Sequence, residues 1–210
     1  MPPPQPQGPC KALAVLLDHA GSVSSLLLCG EFLLSASMGG DIVAWQQPDL
    51  RRFAWFGHSE NGGSIKALVA AGGQVYAVGS DGHVAGWDRL GGRTAACWTL
   101  ACDVKAHDMA VLCLCIVRDL LYTGSADKTI GLWRRQSGDE LAKVGVIGGH
   151  EGPVKCIQAS WCRLSNGCMV YSGSLDKTIR VWWVPGALQH DNGNEQQQQQ
   201  EKSFKGSESE

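Results

Sequence analysis

Histidine, a hydroxyl residue and aspartate recur together along this chain, and these residue types could perform nucleophilic chemistry. The two fullest copies are His107, Thr123, Asp127 and His150, Ser172, Asp176. In a hydrolytic triad, histidine activates the hydroxyl and the carboxylate orients the histidine. An active site needs only one copy, however, whereas a structural network repeats with its fold. The recurrence therefore disfavours an enzyme and points to a structural repeat.

The repeat is visible in four tryptophans, each preceded by a histidine. Trp45, Trp87, Trp133 and Trp182 follow one another at 42, 46 and 49 residues. The thirteen residues LYTGSADKTIGLW, which end at Trp133, return as VYSGSLDKTIRVW before Trp182. A unit of this period is typical of folds in which each module buries its faces only against the next.

Each unit contains four short apolar runs separated by turn residues. In the third unit they read VLCLCIV, LLYTGSA, KTIGLW and LAKVGVI, and no stretch keeps a helical period. Runs of four to eight residues, rich in β-branched and aromatic side chains, are typical of strands. The sequence therefore predicts an all-β fold with four antiparallel strands in every unit.

Composition narrows the classes of partner. The chain has 210 residues, of which 44% are hydrophobic and 18% charged, with a net charge of −2. This balance leaves no basic face, so we expect no direct nucleic-acid partner. No apolar run approaches the roughly 18 residues of a membrane span, and no secretory leader is visible. We therefore expect a cytoplasmic or nuclear protein without a membrane partner.

Nine cysteines are scattered without any C-x-x-C pair. Such cysteines are typical of a reduced, intracellular protein, and their spacing matches no zinc ligand set. No glycine-rich loop opens a helix to hold a phosphate. We expect no metal, no cofactor and no catalytic residue.

The unit resembles the blade of a WD-repeat (WD40) β-propeller, with histidine near its start and Trp, or Trp87-Asp88, at its end. The stretches GSVSSLLLCGEFLLSAS and SIKALVAAGGQVYAV, and the last two repeats, are similar to the plant JINGUBANG-type WD-repeat family. The resemblance covers about residues 11–184. It implies a non-catalytic scaffold for protein–protein interaction with a regulatory role in a plant cell.

The resemblance also implies a buried polar network in each blade. Its predicted members are His19, Ser35, Trp45; His58, Asp81, Trp87; His107, Thr123, Asp127, Trp133; and His150, Ser172, Asp176, Trp182. Gly39 stands at the aspartate position of the first repeat, and Ala77 at the hydroxyl position of the second. We therefore expect the first two blades to be locally less stable than the last two.

A peptide-binding face is implied by the same resemblance, at the end that carries the histidine loops and aspartate turns. The residues before each turn position are Met38, Ser80, Ala126 and Leu175, and Lys128 and Lys177 follow it in two repeats. A small surface of mixed character suits a peptide or an acidic protein segment. The same residues would also suit ordinary solvated turns.

The number of blades departs from the family, which usually has seven. Four fit into residues 10–185, between a Pro/Gln-rich lead at 1–9 and a Gln-rich tail at 186–210 that are both predicted to be disordered. The run KALAVLL at 11–17 could complete the last blade and close a ring. An open arc, or self-association that pools eight blades, fits as well. A truncated product with impaired binding is the alternative to a scaffold, and a propeller enzyme is a remote one.

Overall fold

The protein is an arc of four antiparallel sheets, which we call blades 1 to 4. The computed structural model describes residues 12–57, 63–90, 97–136 and 140–189. Within these ranges three sheets have four strands and the last has three, so the all-β, four-blade prediction is confirmed. Each blade is a meander, because consecutive strands pair with one another.

The strands of blades 1 and 2 are β1 (Val23–Cys29), β2 (Phe32–Ser37), β3 (Asp41–Gln46), β4 (Arg51–Gly57), β5 (Ile65–Ala71), β6 (Gln74–Gly79), β7 (His83–Leu90) and β8 (Cys97–Lys105). Those of blades 3 and 4 are β9 (Val111–Val117), β10 (Leu120–Ser125), β11 (Ile130–Arg135), β12 (Leu141–Ile147), β13 (Val154–Cys162), β14 (Gly167–Ser174) and β15 (Ile179–Pro185).

The turn between the second and third strands of every blade needs one left-handed residue. Gly40 and Gly82 take φ values of 87° and 81°, and Lys128 and Lys177 take 75° and 69° at the same turn position. Glycine adopts this conformation freely, whereas a side chain with a Cβ is strained there. The two lysines are thus held in a fixed, unusual backbone conformation.

The hydrophobic core lies between blades rather than inside any one of them. One apolar cluster joins blades 1 and 2, a second joins blades 2 and 3, and a third joins blades 3 and 4. The innermost strands pack in series, β1 on β5, β5 on β9 and β9 on β13. Each interface therefore uses one face of a blade and the opposite face of the next.

The arc is open. Within the described residues, no comparable packing joins β13 back to β1. Residues 12–18 form no strand, and β15 pairs with β14 only. The segment predicted to complete the last blade of its own chain does not do so in this structure.

Past β15 the chain turns through a short 3-10 helix, η1 (Gly186–Gln189), at the beginning of the stretch predicted as tail. The Gly186 amide donates to the carbonyl of Asn166 at 2.8 Å. The lead at residues 1–9 and most of the tail lie outside the described residues. None of the described segments is a helix long and apolar enough to cross a membrane.

Candidate functional site

The third blade brings together all four of its predicted network residues. The indole Nε1 of Trp133 donates to Thr123 Oγ1 at 2.9 Å, and this oxygen lies 2.8 Å from His107 Nε2. His107 Nδ1 lies 2.8 Å from Asp127 Oδ2. Thr123 and Trp133 are on adjacent strands, β10 and β11, while the loop before β9 supplies the histidine.

The fourth blade has the same chain of contacts. Trp182 Nε1 donates to Ser172 Oγ at 2.8 Å, which lies 2.8 Å from His150 Nε2, and His150 Nδ1 is 2.7 Å from Asp176 Oδ2. Since the hydroxyl oxygen accepts from the indole, its own proton is available to Nε2. Nδ1–H then donates to the carboxylate, which leaves every polar group in the chain with a partner.

The first blade has an equivalent network with its carboxylate in a different place. Gly39 occupies the turn, as the sequence shows, but Asp41 at the start of β3 lies 2.6 Å from His19 Nδ1. Ser35 Oγ completes the chain at 2.6 Å from His19 Nε2 and 2.8 Å from Trp45 Nε1. The carboxylate that seemed to be missing is therefore supplied from two residues further along.

Asp41 stands where blades 3 and 4 have Thr129 and Thr178. Each of these threonines follows its turn aspartate by two residues and donates to it, Thr129 at 2.6 Å and Thr178 at 2.7 Å. An aspartate directly before the apolar run IVAW was the sequence signal that could have revealed the exchange.

The second blade differs most from the pattern. His58 lies outside the described residues, and the hydroxyl position is held by Ala77, which is fully buried. Asp81 accepts from the His83 amide at 3.1 Å, and the His83 ring pairs with Asp103 at 2.7 Å on the surface. Trp87 is buried against the Phe56 ring of blade 1, with centroids 5.5 Å apart.

The network aspartates are held as carboxylates. Partial burial alone would raise the pKa of Asp127, but hydrogen bonds from Thr129 and His107 outweigh it and lower the pKa below its ordinary 3.8. In the same way, burial is outweighed at Asp176 by bonds from Thr178 and His150, which lower its pKa. The pKa of Asp41 is lowered by its bonds from Ser37 and His19, again against the effect of burial.

These shifts predict that the fold loses stability in acid. The folded-state pKa of each aspartate lies below its unfolded value, so the unfolded chain takes up protons first as the pH falls. The contribution should be complete well above pH 3.8 and decline as the pH drops towards the folded pKa. Denaturant unfolding at a series of pH values should show the decline, and Asp176→Asn should flatten it. Asp119→Asn, which removes the same charge at an exposed position, is the control. If the free energy of unfolding depended on pH equally weakly in both variants, the prediction would be contradicted.

The residues predicted to contact a partner lie together at one end of the blades. The backbone N–H groups of Met38, Ser80, Ala126 and Leu175 donate to the loop before the innermost strand of their own blade, at 2.9–3.0 Å. This repeated bond fixes the four positions on one surface, which we call the loop face. The Met38 and Leu175 side chains are exposed on it, as are Lys128 and Lys177.

A polar cleft of about 320 Å³ opens beside the third network. Lys105 and Lys143 line it together with His107, Asp108 and Asp127. Exposed Met109 lies in the same loop. Within the described residues, no group of three or more His, Cys, Asp or Glu is arranged to hold a metal ion.

The repeat is recognised in comparisons with known families. The model for "WD domain, G-beta repeat" matches residues 98–134 and 141–182. Residues 98–182 of this chain thus carry two WD repeats. Each matched repeat straddles two blades, since 98–134 begins in the outer strand of blade 2 and ends in β11 of blade 3.

One curated relative, the human F-box/WD repeat-containing protein 9, is 30% identical over 179 residues, which are 78% of this chain and 35% of that protein. The chain thus spans about a third of the length of that WD-repeat relative.

Two solved structures share the fold. The computationally designed Ika4 protein superposes with a TM-score of 0.66 at 23% identity, over 83% of this chain and 99% of that one. The computationally designed Ika8 protein superposes with a TM-score of 0.64 at 23% identity, over 82% of this chain but only 48% of that one. The arc of this chain therefore resembles the whole of one designed fold and about half of another.

Proposed function

We propose that this chain is a non-catalytic scaffold whose loop face binds a segment of another protein. The observation that carries the proposal is the repeated bond that holds Met38, Ser80, Ala126 and Leu175 on one surface. Binding residues are commonly placed on loops that a rigid sheet scaffold positions. The WD repeats and a WD-repeat relative support a scaffold role.

The chemistry of the loop face indicates what kind of segment would bind. Met38, Met109 and Leu175 are exposed apolar side chains that could receive an apolar anchor from a partner. Lys128 and Lys177 add positive charge, while Asp108 and Glu151 add negative charge nearby. We infer a short peptide segment with apolar anchors whose acidic groups reach the two turn lysines.

A hydrolase is disfavoured by the burial of the networks. The side chains of His107 and His150 are 3% and 1% exposed, and the hydroxyls of Thr123 and Ser172 are buried behind them. Both ring nitrogens of each histidine already have partners. These contacts resemble those of a triad, but each hydroxyl is buried and its oxygen also accepts from a tryptophan indole, as expected for a structural network.

The proposal predicts that peptide binding depends on the loop face. A displayed library of random peptides, screened on the purified chain, should yield sequences that combine apolar and acidic residues. The double substitution Met38→Asp, Leu175→Asp should weaken binding of an enriched peptide by about 10-fold or more. Substitution Lys128→Gly, Lys177→Gly should weaken it by about 3- to 10-fold, as expected for exposed charges.

The lysine variants separate an effect on binding from an effect on folding, because glycine already occupies the same turn position in blades 1 and 2. They remove charge while relaxing the backbone. Leu164→Asp, at a fully exposed position in the β13–β14 turn on the opposite end, is the control and should bind normally. Equal binding by all variants, or no enriched peptide, would contradict the proposal.

The competing proposal is a truncated product with impaired binding, which is favoured by the apolar faces exposed at the ends of the arc. A cooperative thermal transition of the purified chain would count against it. The regulatory role in a plant cell and the cytoplasmic or nuclear location remain proposals, supported by the similarity to the JINGUBANG-type family and by the cysteine pattern.

A further inference from the structure

The outer face of blade 4 exposes apolar residues that are core residues elsewhere. Ile130 and Leu132 of β11 are 1% and 3% exposed because blade 4 covers them. Their equivalents in β15, Ile179 and Val181, are 79% and 53% exposed. Blade 4 thus presents an inter-blade face that no other described part of the chain covers as a blade would.

The other end of the arc exposes the complementary face. Leu26 of β1 is 64% exposed, whereas its equivalent in β5, Leu68, is 9% exposed in the core between blades 1 and 2. Val23 and Leu28 are exposed beside Leu26. The three internal interfaces all join these two kinds of face, so each end of the arc has the shape and polarity to receive the other.

A missing strand and a spare strand lie at these same two ends. Within the described residues, blade 4 has three strands and β15 pairs with β14 only. Residues 12–17 lead into blade 1 as a continuous apolar run in which Leu13, Val15 and Leu17 are exposed, and a short apolar run of this length is consistent with a strand that would be covered by neighbours. Unpaired edges of this kind pair readily with a further strand.

We propose that two copies of this chain assemble head to tail into a ring of eight blades. Blade 4 of each copy packs on blade 1 of the other, and residues 12–17 of each copy pair with β15 of the other as its fourth outer strand. The interface joins the same two kinds of blade face as the three internal interfaces do. A heterologous contact that closes after two copies leaves no apolar end face exposed.

A second copy suits the open arc better than closure of a single chain. Asp18 and His19 hold the chain to blade 1 through Arg52 at 3.5 Å and Asp41 at 2.6 Å. Residues 12–17 therefore start at the opposite end of the arc from β15. An arc of this curvature also matches just under half of a longer designed chain, so the curvature is compatible with a structure of twice its length.

Light scattering coupled to size-exclusion chromatography of the full chain tests the proposal. We expect a mass of about twice the 22.4 kDa of one chain. Ile179→Asp, Val181→Asp and, separately, Leu26→Asp, Leu28→Asp should each give folded monomers, because all four side chains are already exposed in the single arc. Val15→Pro should also weaken the dimer, since it removes a backbone donor from a segment that forms no strand in the arc.

Mixing the two aspartate variants tests the head-to-tail arrangement. In a mixed pair, the unsubstituted blade 4 of one variant can pack on the unsubstituted blade 1 of the other. One of the two junctions is then intact, so dimers should reappear. Leu100→Asp, at an exposed position of β8 away from both ends, should remain dimeric. A monomeric wild-type chain, a mass above two copies, or no dimer on mixing would each overturn the proposal. These results are independent of peptide binding at the loop face, which is measured separately.

Discussion

Substitution of His150 by alanine should lower the free energy of unfolding by about 1–3 kcal/mol, because the buried Ser172 hydroxyl loses its acceptor. The change also removes the ring contact with Trp182, whose centroid lies 6.0 Å from that of His150. A loss of this size is a large fraction of the stability of a small domain. Denaturant unfolding followed by circular dichroism would measure it.

His83→Ala is the matched control for this experiment. The His83 ring also lies 2.7 Å from a carboxylate, that of Asp103, but its side chain is 30% exposed and the pair lies on the surface. Exposed pairs contribute about 0–1 kcal/mol, so the control should cost much less. Equal losses in the two variants would show that burial of the network does not determine its contribution.

The second large effect concerns the displaced carboxylate of blade 1. Asp41→Thr should destabilise the fold by about 1–3 kcal/mol, because His19 loses the carboxylate to which Nδ1 is bonded. Combining this change with Gly39→Asp should restore most of the loss. The double variant recreates the arrangement of blades 3 and 4, with aspartate in the turn and threonine two residues later.

The backbone permits this rescue, since Gly39 is not among the glycines with positive φ. A Cβ at position 39 would lie 3.2 Å from Ser37 Oγ and 3.4 Å from Asp41 Oδ1, and the second of these atoms is removed in the double variant. If Gly39→Asp failed to recover stability, the turn between β2 and β3 would accept a carboxylate only from position 41. Thermal melts of the wild type and the two variants decide between these outcomes.

The sequence was sufficient to predict the strands and the networks of blades 3 and 4, because turn chemistry and the His-to-Trp spacing are local signals. The fixed offset from histidine to aspartate missed Asp41, because the start of β3 and the turn can both reach the Nδ1 atom of the histidine, and only the aspartate before IVAW hinted at the exchange. Ring closure was not predictable either. Whether the faces of Val181 and Leu26 meet depends on rotations between blades, which no single repeat encodes.

The offset between repeat and blade has a consequence for how such chains change in length. Each repeat contributes the outer strand of one blade and three strands of the next, so every junction between blades is crossed by continuous backbone. Suppose that a duplication or deletion has its two ends at equivalent tryptophans, such as Trp87 and Trp133. The three inner strands of one blade are then followed by the outer strand of another repeat, which occupies the same place in a blade. Internal blades therefore stay complete whichever repeat is gained or lost, and only the size of the arc changes.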